Sequence, residues 1–172
     1  MSVSRGGDGV STTDGLNWAT VADQTADTDG TGKIYNVDVD LPDQHVMALH
    51  AIRVTMSDRY DAQEGQGEWW VYADDDAPAQ NSWIARAENA DDLIFHSNLG
   101  WTATGAGGNN GNAILIDSVD FPLPVLRGSG ELVVNQSGTN PSGGDLEWVM
   151  HFYYDVVPAE STDAYLELLL KQ

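Results

Sequence analysis

Four histidines, His45, His50, His96 and His151, are the side chains best suited to ligate a transition metal or to move a proton near neutral pH. Their spacing serves neither task. No two stand at H-x-H or H-x₃-H, and the paired histidines followed by Glu that a metal-dependent cupin strand would carry are missing. They read as satisfied or surface imidazoles, and no metal ligand, catalytic residue or cofactor site is assigned. The stretch Asp27-Thr28-Asp29-Gly30-Thr31-Gly32-Lys33-Ile34-Tyr35-Asn36-Val37-Asp38 partly matches a calcium loop. It has acids at the first and third positions, Gly at the sixth and an apolar residue at the eighth. Thr31 is a weak fifth ligand, Asp38 is too short for the bidentate Glu, and no helices flank it. An Asp/Gly turn leading into a strand is the simpler reading.

The remaining candidates weaken in the same way. Asp74-Asp75-Asp76 cannot converge on one cation from a strand, because successive side chains point to opposite faces. The glycine loop Gly105–Gly111 is followed by a strand pattern and by no Lys, so it lacks the helix N-terminus of a phosphate cradle. Gly128-Ser129-Gly130 lacks the spacing of a nucleophile elbow. Glu131 and Glu147 can be paired on paper as glycosidase carboxylates, but so can any two acids here. Among six tryptophans, Trp69, Trp70, Trp83, Trp101 and Trp148 are candidates for a sugar-stacking platform or for core and intersubunit packing. Trp69 and Trp70 must point to opposite faces of one strand, so one of them is expected to face out, towards a protein partner before a sugar.

The charge points elsewhere. The 172 residues hold 27 acidic and 7 basic side chains, a formal net charge of −20. Spread over a compact body of this length, that charge costs about 40 kcal/mol in pure water, about 14 at 0.1 M salt and about 5 at 1 M. The span between the last two rivals the stability of a whole domain. The acids run from Asp8 to Glu167 rather than lying in one tail, so the chain reads as adapted to molar salt. Seven cations on so acidic a body cannot form a basic groove, and nucleic-acid binding is not expected. There is no cysteine, hence no disulfide and no thiolate zinc site. Met1–Gly7 lacks the apolar stretch of a signal peptide, and no run approaches the ~20 apolar residues of a membrane span.

The elements that position these residues are strands. Residues 1–32 are rich in Gly, Ser, Thr and Asp and read as an N-terminal arm or leader, with one short strand around Leu16–Val21. From residue 33 to 172 a single domain is expected. Tyr35–Leu41, His45–Ser57, Glu68–Tyr72, Ser82–Ala87, Leu93–Asn98, Ala113–Phe121, Glu131–Gln136 and Glu147–Val157 carry strand patterns. Asp58–Gly67, Gly105–Asn112 and Ser137–Asp145 read as loops, and Pro122 and Pro124 as a break. Ala164–Leu170 alternates and reads as a strand, with a helix capped by Ser161 as the other possibility. The sum is an all-β chain: an eight-stranded jelly-roll sandwich or barrel.

Leu126-Arg127-Gly128-Ser129-Gly130-Glu131-Leu132-Val133-Val134-Asn135-Gln136, the glycine-rich loop after it, and Leu146–Val157 together resemble single jelly-roll capsid subunits. With its size, acidity and lack of cysteine, the chain resembles the smaller of two major capsid proteins of icosahedral, internal-membrane viruses of halophilic archaea. The resemblance spans residues 33–170 and rests on pattern, with no short motif that transfers a binding residue. It implies an upright jelly roll that assembles with copies of itself and a second, larger major capsid protein. The resulting pseudo-hexameric capsomers surround a lipid vesicle. It also implies a virion location after assembly in a salt-rich host cytoplasm, and a structural rather than enzymatic role. Two other classes stand beside it: an extracellular carbohydrate-binding β-sandwich of a halophile, and a jelly-roll enzyme, which the histidine spacing argues against.

Overall fold

The computed structural model describes residues 4–6, 16–23, 33–58, 64–72, 93–102, 114–139 and 146–170. Nine strands are assigned among them: β1 (Ser4–Gly6), β2 (Asn17–Asp23), β3 (Lys33–Asp38), β4 (His45–Asp58), β5 (Glu64–Tyr72), β6 (Leu93–Thr102), β7 (Ile114–Arg127), β8 (Glu131–Thr139) and β9 (Leu146–Pro158). A 3₁₀ turn, Ala159–Ser161, then leads into one helix, α1 (Thr162–Leu169). The first sheet has the order β1-β2-β9-β4-β7 and the second β3-β8-β5-β6. Every pairing is antiparallel, and β2 pairs with β9, β3 with β8, β4 with β7 and β5 with β6. The chain is all-β apart from α1, and its two sheets close on one core.

Alternation builds that core. On β3, Tyr35 and Val37 point in while Ile34, Asn36 and Asp38 are exposed. On β9, Trp148, Met150, Phe152 and Tyr154 are buried, with half-buried residues between them. Each such side chain taken fully from water contributes roughly 1.5–3 kcal/mol. Trp148 ties the sheets together. Its ring meets Tyr35 edge-on at 5.2 Å and Trp69 at 5.8 Å, both from the second sheet.

Several boundaries move from where the pattern put them. Asn17–Asp23, within the segment read as a leader, pairs along its length with β9 and sends Ala19 and Val21 into the core. The sheet therefore starts before residue 33. Leu16 and Val21, with polar neighbours, are too short a signal to show that the partner would be the most apolar strand of the chain. β5 begins at Glu64, inside the expected polar loop. Ser82–Ala87 and the loop 105–112 lie outside the described residues.

Pro122 and Pro124 do not end β7. That strand is the edge of its sheet, where a missing N–H leaves no ladder bond broken. The register shows the accommodation. Leu49 faces Val125 and Ala51 faces Asp120, so Phe121-Pro122-Leu123-Pro124 bulge out opposite the single residue His50.

The tail is helical, not a strand. β9 already has β2 on one side and β4 on the other, so the chain leaving Pro158 finds no ladder edge beside it. Leu166, Leu169 and Leu170 fit helical spacing as well as the alternation fits a strand. Ser161 closes the 3₁₀ turn immediately ahead of α1, and the Thr162 hydroxyl donates to the Ala159 carbonyl at 3.0 Å.

Candidate interaction face

Strand alternation leaves the odd residues of β9 on the outer face of the first sheet. There Tyr153 lies opposite Trp18, and His151 lies between Thr20 on β2 and Arg53 on β4. The rings of Trp18 and His151 are 5.6 Å apart, and His151 stacks on Tyr153 at 6.1 Å and 21°. The Arg53 guanidinium sits 5.9 Å from the Tyr153 ring, within cation–π range. The result is one half-buried strip, aromatic on β2 and β9 and flanked by Arg53 on β4. Burial, and secondarily the Arg53 charge, hold the His151 pKa below its ordinary value. Its Nδ1 is buried without a hydrogen-bond partner among the described residues. The strip is therefore aromatic and neutral at its centre, with a cation at one side.

At the next level along the sheet, β4 bulges at His50: Leu49 faces Tyr154 and Ala51 faces Tyr153, which leaves His50 over. The bulge turns the imidazole towards α1. Tyr165 Oη donates to Asp155 Oδ2 at 2.8 Å, and His50 Nε2 lies 2.8 Å from the same hydroxyl oxygen. The phenol has one proton and gives it to Asp155, so His50 Nε2 must carry its own. His50 Nε2 is also 3.4 Å from Asp155 Oδ2. Burial and the neighbouring carboxylate push the Tyr165 pKa up, which keeps the phenol protonated. This His→Tyr→Asp chain joins the helix to two strands.

The second sheet carries a smaller cluster on its own outer side. Trp69 and Trp70 do point to opposite faces: Trp69 into the core, Trp70 away from it. Trp70 is nonetheless only 4% exposed, packed with Tyr72 and Val133 and stacked on His96 at 5.3 Å and 13°. His96 in turn meets Glu68 at 2.9 Å. The expectation that the outward tryptophan is presented to a partner or ligand is corrected, because its neighbours already cover it. Trp148 is core. Trp83 and the side chain of Trp101 lie outside the described residues.

The other candidates scatter. His45 Nδ1 meets the Asp43 carbonyl at 2.9 Å, on β4 of the first sheet, whereas His96 is on β6 of the second. Among the described residues no three metal-ligating side chains come together. Glu131 opens β8 opposite Asp38 in one sheet and Glu147, the second residue of β9, faces Ser57 in the other, so the imagined carboxylates are not paired. Residues 27–32, 74–76 and 105–111 lie outside the described residues. Gly128–Gly130 is the bend between β7 and β8, and the Gly130 carbonyl accepts from Val39 N at 3.0 Å.

Sequence reasoning missed both the aromatic strip and the His50 chain. The strip had a signal, since His151, Tyr153 and Asp155 alternate on the non-core side of the clearest strand. The chain had none, because His50 and Tyr165 are 115 positions apart. Half-buried aromatic rings beside one guanidinium have a composition enriched at protein contacts. Among the described residues, no helix is long and apolar enough to cross a membrane. No protein-family model matches the chain, and no curated protein shows significant similarity to it.

Proposed function

We propose that this chain is a structural subunit of a virus capsid. It would assemble with copies of itself and with a second, larger jelly-roll capsid protein into pseudo-hexameric capsomers around an internal membrane, in a salt-rich host. The observation that carries the reading is the nested pairing β2·β9, β3·β8, β4·β7 and β5·β6. It is the pairing of one long two-stranded ribbon wound on itself, and it supports an eight-stranded jelly roll with β1 as an addition. The −20 charge supports assembly in brine, where repulsion between acidic neighbours is screened while apolar contacts persist. A role without catalysis is part of the same proposal.

Three of the five tryptophans that suggested the carbohydrate-binding alternative, Trp69, Trp70 and Trp148, are buried, which favours the capsid reading. Titrating tryptophan fluorescence with polysaccharides separates the two, and saturable quenching would favour the lectin. The decisive experiment is sedimentation and circular dichroism of the purified chain from about 3 M salt to below about 0.1 M. The capsid reading expects dissociation or unfolding in dilute buffer. An unchanged particle and an unchanged fold there would overturn it.

A further inference from the structure

The register lays the outer face of the first sheet out in rows. Trp18 and Tyr153 share the first, with Ala51 beside them on β4. His151 and Arg53 share the second. In the third, Val149 faces Thr55, and Thr55 faces Ile116, which is 61% exposed. Successive rows are two residues apart, about 6.8 Å along the strands. An aromatic row, a cationic row and a largely aliphatic row therefore follow one another at the repeat of an extended chain.

Carboxylates stop at the border of this patch. On β9 the outer residues run from Glu147 to Asp155, and Asp155 accepts from Tyr165 Oη, so α1 closes that end. Asp120 stands on the edge strand β7, opposite Ala51. Between these acids, β2, β9 and β4 present none on this face. In a chain with 27 acidic and 7 basic side chains, the Arg53 guanidinium makes no ion pair among the described residues and rests near the Tyr153 ring. Burial keeps His151 neutral beside it, so the row carries a single positive charge. Arg, Tyr and Trp are the types that carry most of the binding energy where proteins meet. A guanidinium takes a carboxylate through two parallel hydrogen bonds, whereas a partner cation there would be repelled.

We propose that this face docks an extended segment of a partner polypeptide whose alternate side chains are apolar, acidic and apolar. The acid sits on Arg53, one apolar side chain on Tyr153 with Trp18 at its side, and the other on Val149. Same-face side chains of such a segment stand at the spacing of the rows beneath them. The assignment does not depend on the capsid reading and holds for a partner of this chemistry inside a particle or outside one.

The test titrates the isotope-labelled full chain in about 3 M salt with a blocked peptide, Leu-Thr-Asp-Thr-Leu, and with its Asn counterpart, following amide shifts by NMR. The Asp peptide should give saturable shifts centred on Arg53, His151 and Tyr153, and the Asn peptide should bind about fivefold more weakly. Arg53→Gln should weaken the Asp peptide to the level of the Asn peptide, with Arg53→Lys between the two. Equal binding of both peptides to wild type, shifts centred on another surface, or no saturable shift up to about 5 mM peptide overturns the proposal. So does an Arg53→Gln chain, folded by circular dichroism, that still distinguishes the peptides. The wild-type comparison needs no variant, so it decides the matter even where Arg53→Gln fails to fold. Salt-dependent assembly is read separately by sedimentation, and the face assignment and the capsid reading can therefore fail independently.

Discussion

Asp38 on β3 lies directly across from Glu131 on β8, two exposed carboxylates in register on neighbouring strands. Like charges so placed destabilise a strand pair, by an amount on the order of a few tenths of a kcal/mol. The pair shows on a small scale what the whole charge implies, a surface that tolerates repulsion. Asp38→Asn should raise stability in dilute buffer and change little in molar salt. Urea denaturation at both salt concentrations measures the difference, and a gain independent of salt would refute the electrostatic account.

Gly130 has no room for a side chain. A Cβ there would fall on the Val39 carbonyl, whose own N–H is bonded to Gly130. Gly130→Ala should cost about 1–3 kcal/mol, because the clash is with backbone and not with a flexible tip. Gly128→Ala, two residues away with nothing near its would-be Cβ, should stay within about 0.5 kcal/mol of wild type. Denaturation midpoints of the two variants provide the comparison.

Tyr165 holds α1 to the bulge of β4 through His50 and to β9 through Asp155. Tyr165→Phe keeps the ring and removes both bonds, at a cost of about 1 kcal/mol. Amide exchange within Thr162–Leu169 should rise by about fivefold, with the core strands unchanged. Uniformly faster exchange throughout the chain would show that the helix is not a separate unit.

His151 makes stability sensitive to acid. Its folded pKa lies below the ordinary value, so between the two the unfolded chain binds the extra proton and the folded chain does not. The contribution is complete above the unfolded pKa of about 6.5 and is lost as pH falls through the window towards the folded value. His151→Gln should flatten the stability profile in that window and leave the carboxylate-driven fall at lower pH in place. Chemical denaturation from neutral pH down to about 5 tests this.

Much of the architecture was legible in the sequence because strand periodicity is local. Tyr35/Val37 and Trp148/Met150/Phe152/Tyr154 declare their buried faces without reference to any partner. The opposite orientations of Trp69 and Trp70 follow from the pleat alone. Composition likewise fixed the net charge and the want of cysteine.

Only the tertiary structure decided what depends on a neighbour. Pro122 and Pro124 are compatible with a strand because β7 is an edge and bulges where they stand. The alternating leucines of the tail become a helix because β9 is already flanked on both sides. Trp70 faces away from the core yet is covered, which no one-dimensional pattern can state. The meeting of His50, Asp155 and Tyr165 needed a bulge in β4 and a helix folded back over β9, and such a contact between distant residues leaves no trace in local spacing.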